Sequence, residues 1–452
     1  MSSHEEFRRV SETIPNLSFH SNFGLYMVLH KNKTCVFLLR IFLVLFWFSV
    51  GKPVFAQKLD PEKYWIQLKD KNNSGYSVNN PEEFLSPDAL TRRIKQNIPI
   101  TSDDIPVSRI YTDSLKNLGL TILGTSKWFN AVIVSSTDPD ILNKITELEF
   151  VKDFDPLSSY RTFSNGTLSL HNTPGLKNCY TQQGNEPNLR TPCQQDQNIW
   201  RFSCNSGTGY LNTIFNHNIS HFFLHEEEYL RLQDYPVFYT KFDYGAGYKQ
   251  IQIMNGKSLH DLGYRGAGVK IAVFDAGFLN VNSLEAFRHL WDRNQIRDVK
   301  NFVSPGSDVF IGSSHGMSAL SAMSSLIPGS FIGTAPDADY LLFRTEDASS
   351  EYKIEEANWL MAAECADSAG VSVISTSLGY NVFNDSSMNY SYADMNGERA
   401  LVTLAAEKAF EKGMVIIASA GNEGNKTWNK ITAPSDGENV IAVGAIDTLA
   451  VL

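Results

Sequence analysis

The sequence predicts an α/β fold, a parallel sheet with helices on both faces, over residues 236–452, preceded by a small α+β domain over residues 57–157. In the larger unit, short runs rich in Val, Ile and Ala alternate with helical stretches, as in βαβ units. These runs lack polar alternation, which favours a sheet covered on both faces. In the smaller unit, helical and strand patterns also alternate, which favours a compact open-faced sandwich.

The elements of the small domain follow from periodicity and from end signals. Ser86 before Pro87 is typical of a helix start, because serine caps the first turn and proline lacks only an N–H that has no partner there. Gly119 is a suitable residue to end a helix. We expect strands over residues 64–68, 120–123, 130–134 and 150–154, and helices over residues 87–94, 111–118 and 138–148.

In the larger unit, Gly370 and Gly413 are expected to end the last two helices. We expect an extended lead-in over residues 244–268. The predicted strands are 269–274, 340–344, 371–375, 414–418 and 440–443, and the predicted helices are 314–325, 354–369 and 398–412.

Residues 158–235 are rich in Asn, Gln, Ser, Thr and Gly and indicate a linker or insertion. Within them His217, His221 and His225 are spaced by four, so on a helix they would share a face with Glu228 and could bind a metal. Such spacing also arises by chance on a solvated face, and it is not the His-Glu-x-x-His pattern. We predict no metal site there.

Residues 1–56 are expected to be a signal peptide with an upstream extension. Basic residues precede the apolar run 41–48, which is too short to cross a membrane comfortably. Ala56 supplies a small residue for cleavage, so the mature chain would begin near Gln57 and be secreted or periplasmic. An uncleaved anchor helix is the alternative, but Arg40 borders the run, and we predict no stable membrane span.

Composition and cysteine usage exclude some classes of partner and site. A net charge of -10 argues against a nucleic-acid partner, because phosphate binding needs clustered Lys and Arg. Cys179, Cys193 and Cys204 share one irregular stretch, where export would permit a disulfide. No C-x-x-C pair supports a zinc site, and Cys365 is expected to fill core space.

Polar motifs follow several of the predicted strands. Asp275 ends the first strand, His315 opens a helix, and Asn422 follows the fourth strand. Because the carboxyl ends of parallel strands meet at one edge of a sheet, we expect these side chains to converge there. Each motif alone is more typical of a turn, a helix cap or a loop. The motifs are, in chain order, Asp275-Ala276-Gly277, Ser314-His315-Gly316, Ser377-Leu378-Gly379 and Ala420-Gly421-Asn422.

This ordered set resembles the subtilisin-like serine proteases (subtilases), over roughly residues 240–450. The resemblance implies that Asp275 orients His315, that His315 is the general base, and that Asn422 donates to the oxyanion. It also implies substrate contacts from Ser377, Leu378, Gly379, Ala420 and Gly421, a polypeptide substrate, and a propeptide in residues 57–157. Relatives often carry calcium, but no Asp-rich loop marks a site here, and no cofactor is predicted.

The family's nucleophile sits in a Gly-Thr-Ser-Met-Ala-like segment well downstream of the asparagine. No such segment follows Asn422 in the sequence, which ends at Leu452. We therefore expect a subtilase precursor truncated before its serine and inactive as it stands. A non-catalytic peptide-binding pseudoprotease and a structural exoprotein are the alternatives. The first would bind peptides at the 377–379 edge without cutting them.

Overall fold

The computed structural model describes residues 62–158, except residue 139, and residues 242–446. The predicted signal segment, the histidine series at 217–225 and the three clustered cysteines lie outside the described residues. The predicted boundaries at 57, 157 and 235 remain predictions. Over the two described ranges, no helix combines the length and apolar character that crossing a bilayer would need.

The N-terminal region is a four-stranded antiparallel sheet with three helices. Its strands are β1 (Glu62–Leu68), β2 (Thr121–Ser126), β3 (Ala131–Ser136) and β4 (Val151–Ser158), in the order β2-β3-β1-β4. Its helices are α1 (Pro87–Lys95), α2 (Arg109–Asn117) and α3 (Ile141–Thr146). Ser86 caps α1 as predicted, since its hydroxyl accepts from the Ala89 N–H at 3.2 Å. The predicted third helix is shorter at both ends than expected.

The second region is built on a six-stranded parallel sheet. Its strands are β5 (Lys270–Asp275), β6 (Ile296–Asn301), β9 (Asp339–Arg344), β10 (Val373–Thr376), β11 (Val415–Ser419) and β12 (Val440–Val443), in the order β12-β11-β10-β5-β9-β6. The α/β prediction is confirmed. Strand β6 was missed, because its sequence Ile-Arg-Asp-Val-Lys-Asn alternates with charged residues as an edge strand can. A short hairpin pairs β7 (Leu326–Ile327) with β8 (Phe331–Ile332).

Helices cover both faces of the parallel sheet. They are α4 (Tyr248–Ile253), α5 (Gly256–Asp261), α6 (Arg288–Asp292), α7 (His315–Ser324), α8 (Ile354–Ala369) and α9 (Leu401–Glu411). Ala272 and Phe274 of β5 pack with α8 and α9, whereas Ile271 and Val273 pack on the opposite face, which α7 covers. The extended lead-in predicted over 244–268 is wrong. It contains α4 and α5, whose polar, weakly periodic sequences gave little helical signal.

The two regions share a hydrophobic core. Trp65, Trp128 and Ile133 from the antiparallel sheet join the cluster that contains Trp359 and Leu360 of α8. Helix α8 is therefore buried on nearly all sides, since one side faces the parallel sheet and the other faces the N-terminal region. The N-terminal region therefore packs directly on the α/β region over the described residues.

A buried ionic cluster lies at the same junction. Asp367 of α8 accepts from Arg92 at 2.5 Å, Arg93 at 2.9 Å and Lys127 at 3.1 Å, all three from the N-terminal region. Glu364, one turn earlier, accepts from the Ser126 hydroxyl and from two backbone N–H groups. Burial raises the pKa of Glu364 to about 6. These contacts give Asp367 and Glu364 the hydrogen-bond partners that buried ions require.

Candidate active site

Three adjacent strands bring the predicted motifs to one edge of the sheet. Strand β10 lies between β5 and β11, with Thr376 opposite Phe274 on one side and Ala418 on the other. Asp275, Ser377 and Ser419 are the next residues along the chain, so they lie at one level at the carboxyl edge. This is the edge at which parallel sheets place ligand-binding groups.

Asp275 and His315 form a hydrogen-bonded pair at this edge. His315 Nδ1 lies 2.7 Å from Asp275 Oδ1, as the sequence predicts. Asp275 is fully buried, and its Oδ1 also accepts from the Ala276 N–H at 2.7 Å. Gly316 permits the approach of α7, because a Cβ there would lie 2.7 Å from Asp275 Cβ and 2.5 Å from the Gly277 carbonyl.

His315 has the environment of a general base. Because a carboxylate can only accept, Nδ1 carries the proton and Nε2 keeps its lone pair. The His315 side chain is 56% exposed, and no serine hydroxyl of the described ranges is hydrogen-bonded to its ring. The hydrogen bond to Asp275 raises the pKa of His315, partial burial opposes this, and the charges of Asp275 and Glu346 add to it.

The predicted substrate-binding residues follow β10 and β11, which lie on one side of β5 in the sheet. Ser377 and Gly379 are exposed and Leu378 is buried between them, an alternation suited to an edge along which an extended peptide can lie. Beyond β11, the Ala420 N–H donates to the Val443 carbonyl at 2.9 Å, and the Gly421 N–H donates to Ser419 Oγ at 3.2 Å.

Asn422 is exposed, three residues beyond the end of β11. Its side chain has no hydrogen-bond partner within residues 62–158 and 242–446. An unengaged amide can donate to a charge that develops nearby during a reaction. The oxyanion role of Asn422 stays a prediction.

Two protein-family models match the sequence of this chain. A family model described as "Subtilase family" matches residues 266–450. A second model, described as "Peptidase S8 propeptide domain, Bacteroidota", matches residues 63–169. The chain contains a subtilase-family domain. The resemblance inferred from the motifs is therefore confirmed, and the antiparallel sheet of the N-terminal region is the subtilase propeptide domain.

The matches to curated relatives cover less than half of the chain. Subtilisin E of Bacillus subtilis (strain 168) is 28% identical over 207 residues, which are 44% of this chain and 46% of the relative. Subtilisin of Bacillus pumilus is 28% identical over 207 residues, which are 44% of this chain and 64% of that protein. The chain thus spans about half the length of the first of these relatives.

A solved structure of the epidermin leader peptide processing serine protease from Staphylococcus aureus is similar over a longer stretch. It is 14% identical, and the match covers 87% of this chain and 71% of that one at a TM-score of 0.42. So distant a likeness adds nothing to the family assignment.

A threonine beside the predicted substrate-binding glycines was not among the site residues predicted from the sequence. A Cβ at Gly379 would lie 2.2 Å from Thr432 Oγ1, and a Cβ at Gly421 would lie 2.8 Å from the same atom. The Thr432 hydroxyl is buried and unpartnered, and backbone bonds between Tyr380 and Ala433 at 2.8 and 3.1 Å hold it in place. No local pattern marks Thr432, because its position depends on a contact between distant loops.

A group of carboxylates beside the site was also missed. Glu346, Glu351 and Glu355 each place an oxygen within 4.8 Å of the other two, the one such trio found in the described ranges. Oxygen ligands suit a hard cation such as calcium. The Tyr380 hydroxyl already donates a hydrogen bond to the Glu346 carboxylate, and two backbone N–H groups donate to the Glu355 carboxylate. The trio by itself therefore supports no metal assignment.

One Gly-Thr-Ser sequence occurs in the chain, at residues 124–126 of the propeptide domain. Ser126 is buried in β2, and its hydroxyl donates to Glu364 Oε1 at 2.6 Å. This serine supports the contact with α8 and is not a nucleophile that faces His315.

Proposed function

We propose that the protein is a secreted serine endopeptidase that hydrolyses peptide bonds through an acyl-enzyme. The observation that carries the proposal is the buried Asp275 bonded to His315 at 2.7 Å at the sheet edge, within a subtilase-family domain. The similarity to subtilisin E, which is named after this type of protease, supports the proposal. Secretion is proposed from the predicted signal peptide, cleaved near Ala56.

In this proposal each residue has one task. His315 Nε2 takes the proton of the attacking hydroxyl and later gives it to the leaving amine, while Asp275 stabilises the imidazolium. Asn422 donates its amide to the oxyanion of the tetrahedral intermediate. The backbone of residues 377–379 aligns the peptide as an added strand. The nucleophilic serine comes from outside the described residues, and the propeptide domain docks on α8 before activation.

The first prediction concerns the nucleophile. A fluorophosphonate probe should label the complete product of the gene, and His315→Ala should abolish labelling, because the probe reacts with a serine that a base activates. The 452-residue polypeptide by itself should stay unlabelled, since no serine of its described ranges is bonded to the His315 ring. Labelling is read by in-gel fluorescence, with cleavage of a casein substrate measured in parallel.

Three outcomes would contradict the proposal in different ways. Labelling of the 452-residue polypeptide, lost in His315→Ala, would show that it already contains the nucleophile. A complete gene product that binds peptides but is neither labelled nor active would favour the pseudoprotease alternative. A product that neither binds nor cleaves would favour a structural exoprotein.

The second prediction concerns cleavage preference. Because Thr432 occupies the space beside Gly379 and Gly421, the pocket for the residue before the scissile bond should favour short side chains. Thr432→Gly should raise kcat/KM for Leu or Phe relative to Ala by about tenfold, the effect of one or two methylenes in a pocket. Peptide-library profiling measures this. Thr427→Gly, on the exposed part of the same loop, is the control, and an unchanged preference in Thr432→Gly would contradict the assignment.

A further inference from the structure

Glu346 lies beside the Asp275–His315 pair, although no family motif marks it. Asp275 pairs with Arg344 in the sheet, and the Thr345 N–H donates to the Asp275 carbonyl at 3.0 Å. The next residue, Glu346, is therefore held against the end of β5. Its side chain is largely buried, so its charge acts through protein and not through bulk water.

Two neighbours lie close to the carboxyl of Glu346. The Tyr380 hydroxyl donates to Glu346 Oε2 at 2.8 Å, and Tyr380 directly follows the substrate-binding residues 377–379. Glu355 lies close by, with a carboxyl oxygen within 4.8 Å of one of Glu346. Glu355 is itself anchored by the N–H groups of Asp347 and Tyr352, each at 3.0 Å.

The surroundings of Glu346 are mostly acidic. Burial raises the pKa of Glu346, the hydrogen bond from Tyr380 lowers it, and nearby carboxylates raise it further. Burial likewise raises the pKa of Glu351, to about 8. The charge of Glu346 in turn raises the pKa of His315. The titratable groups that interact with Glu346 are Asp275, His315, Asp347, Glu351, Glu355 and Tyr380.

We propose that Glu346 is a positioning residue, a second carboxylate that stabilises the imidazolium of His315 while Tyr380 holds it beside the substrate strand. Asp275 contacts the imidazole directly, whereas Glu346 acts through space and through its bond to Tyr380. The importance of this role for catalysis rests on the proposed protease function. The electrostatic coupling between Glu346 and His315 can be measured without substrate turnover. A failure of this proposal can therefore be distinguished from a failure of the proposed protease function.

The test is an NMR titration of the histidine ring in the 452-residue protein. Glu346→Gln keeps the size of the side chain and removes its charge, so the pKa of His315 should fall by about half a unit or more. The signal of His315 is identified by its loss in His315→Asn. Glu356→Gln is the matched control, because Glu356 is also buried on α8 and accepts from Tyr390 and from a backbone N–H, at 2.7 and 2.9 Å.

A conservative variant separates coupling from a structural effect. Tyr380→Phe removes the bond that favours ionised Glu346, so it should also lower the pKa of His315, by less than Glu346→Gln. In the Glu346→Gln background, Tyr380→Phe should have no further effect, because the group it acts through is already neutral. An unchanged His315 titration in both single variants would overturn the proposal. So would a shift of equal size in Glu356→Gln.

Discussion

Asp275→Asn in the complete product of the gene is expected to lower kcat by about 10⁴-fold, the size of the loss when the aspartate of a serine-protease triad is replaced. An asparagine can offer its N–H to His315 Nδ1, which favours the tautomer with the proton on the wrong nitrogen. Asp275 is fully buried and bonded to His315 at 2.7 Å, so water cannot replace it. Steady-state hydrolysis of a peptide substrate measures the loss.

The control for Asp275→Asn is Asp339→Asn, which removes a carboxylate from the opposite end of the sheet. Asp339 begins β9 and pairs with the partly exposed Arg297 at 3.1 Å, away from the carboxyl edge. Its replacement should leave kcat within about twofold of the parent, because Asp339 lies at the end of the sheet away from His315 and a partly exposed pair contributes little. Equal activity of the two variants would show that Asp275 has no role in the reaction.

Asp367→Asn is expected to destabilise the contact between the propeptide domain and α8 by about 3–5 kcal/mol, the cost of leaving buried charges unpaired. The substitution removes the anion shared by Arg92, Arg93 and Lys127, whose side chains are all at least nine-tenths buried. Urea unfolding of the 452-residue protein should show a lower midpoint. Limited proteolysis should cut the propeptide domain faster.

Asp113→Asn is the matched control for this stability experiment. Asp113 pairs with Lys116 one turn away on α2, and both side chains are more than half exposed. Its replacement should change the free energy of unfolding by no more than about 0.5 kcal/mol. If Asp367→Asn proves as stable as Asp113→Asn, the buried ionic cluster does not hold the propeptide domain in place.

Local sequence signals were sufficient for most of the core elements. Helix α8 spans the predicted residues 354–369, and Gly370, at φ +80°, ends it in the left-handed region. The extended lead-in and the third helix were misjudged, since short polar helices carry little periodic signal. Strand β6 was missed for a related reason, because an edge strand can carry charges and need not be an apolar run.

What the sequence by itself determined was the α/β class, the two-part organisation and the pair Asp275 and His315. Strand ends of a parallel sheet meet at one edge whatever the loops do, so motifs at those ends can be brought together from the chain order alone. The tertiary structure alone decided the positions of Glu346, Thr432 and Asp367. Each acts on residues far away in the chain, through burial and contacts that no local pattern records. Their charge, size or hydrogen bonding matters only because folding removes water from around them.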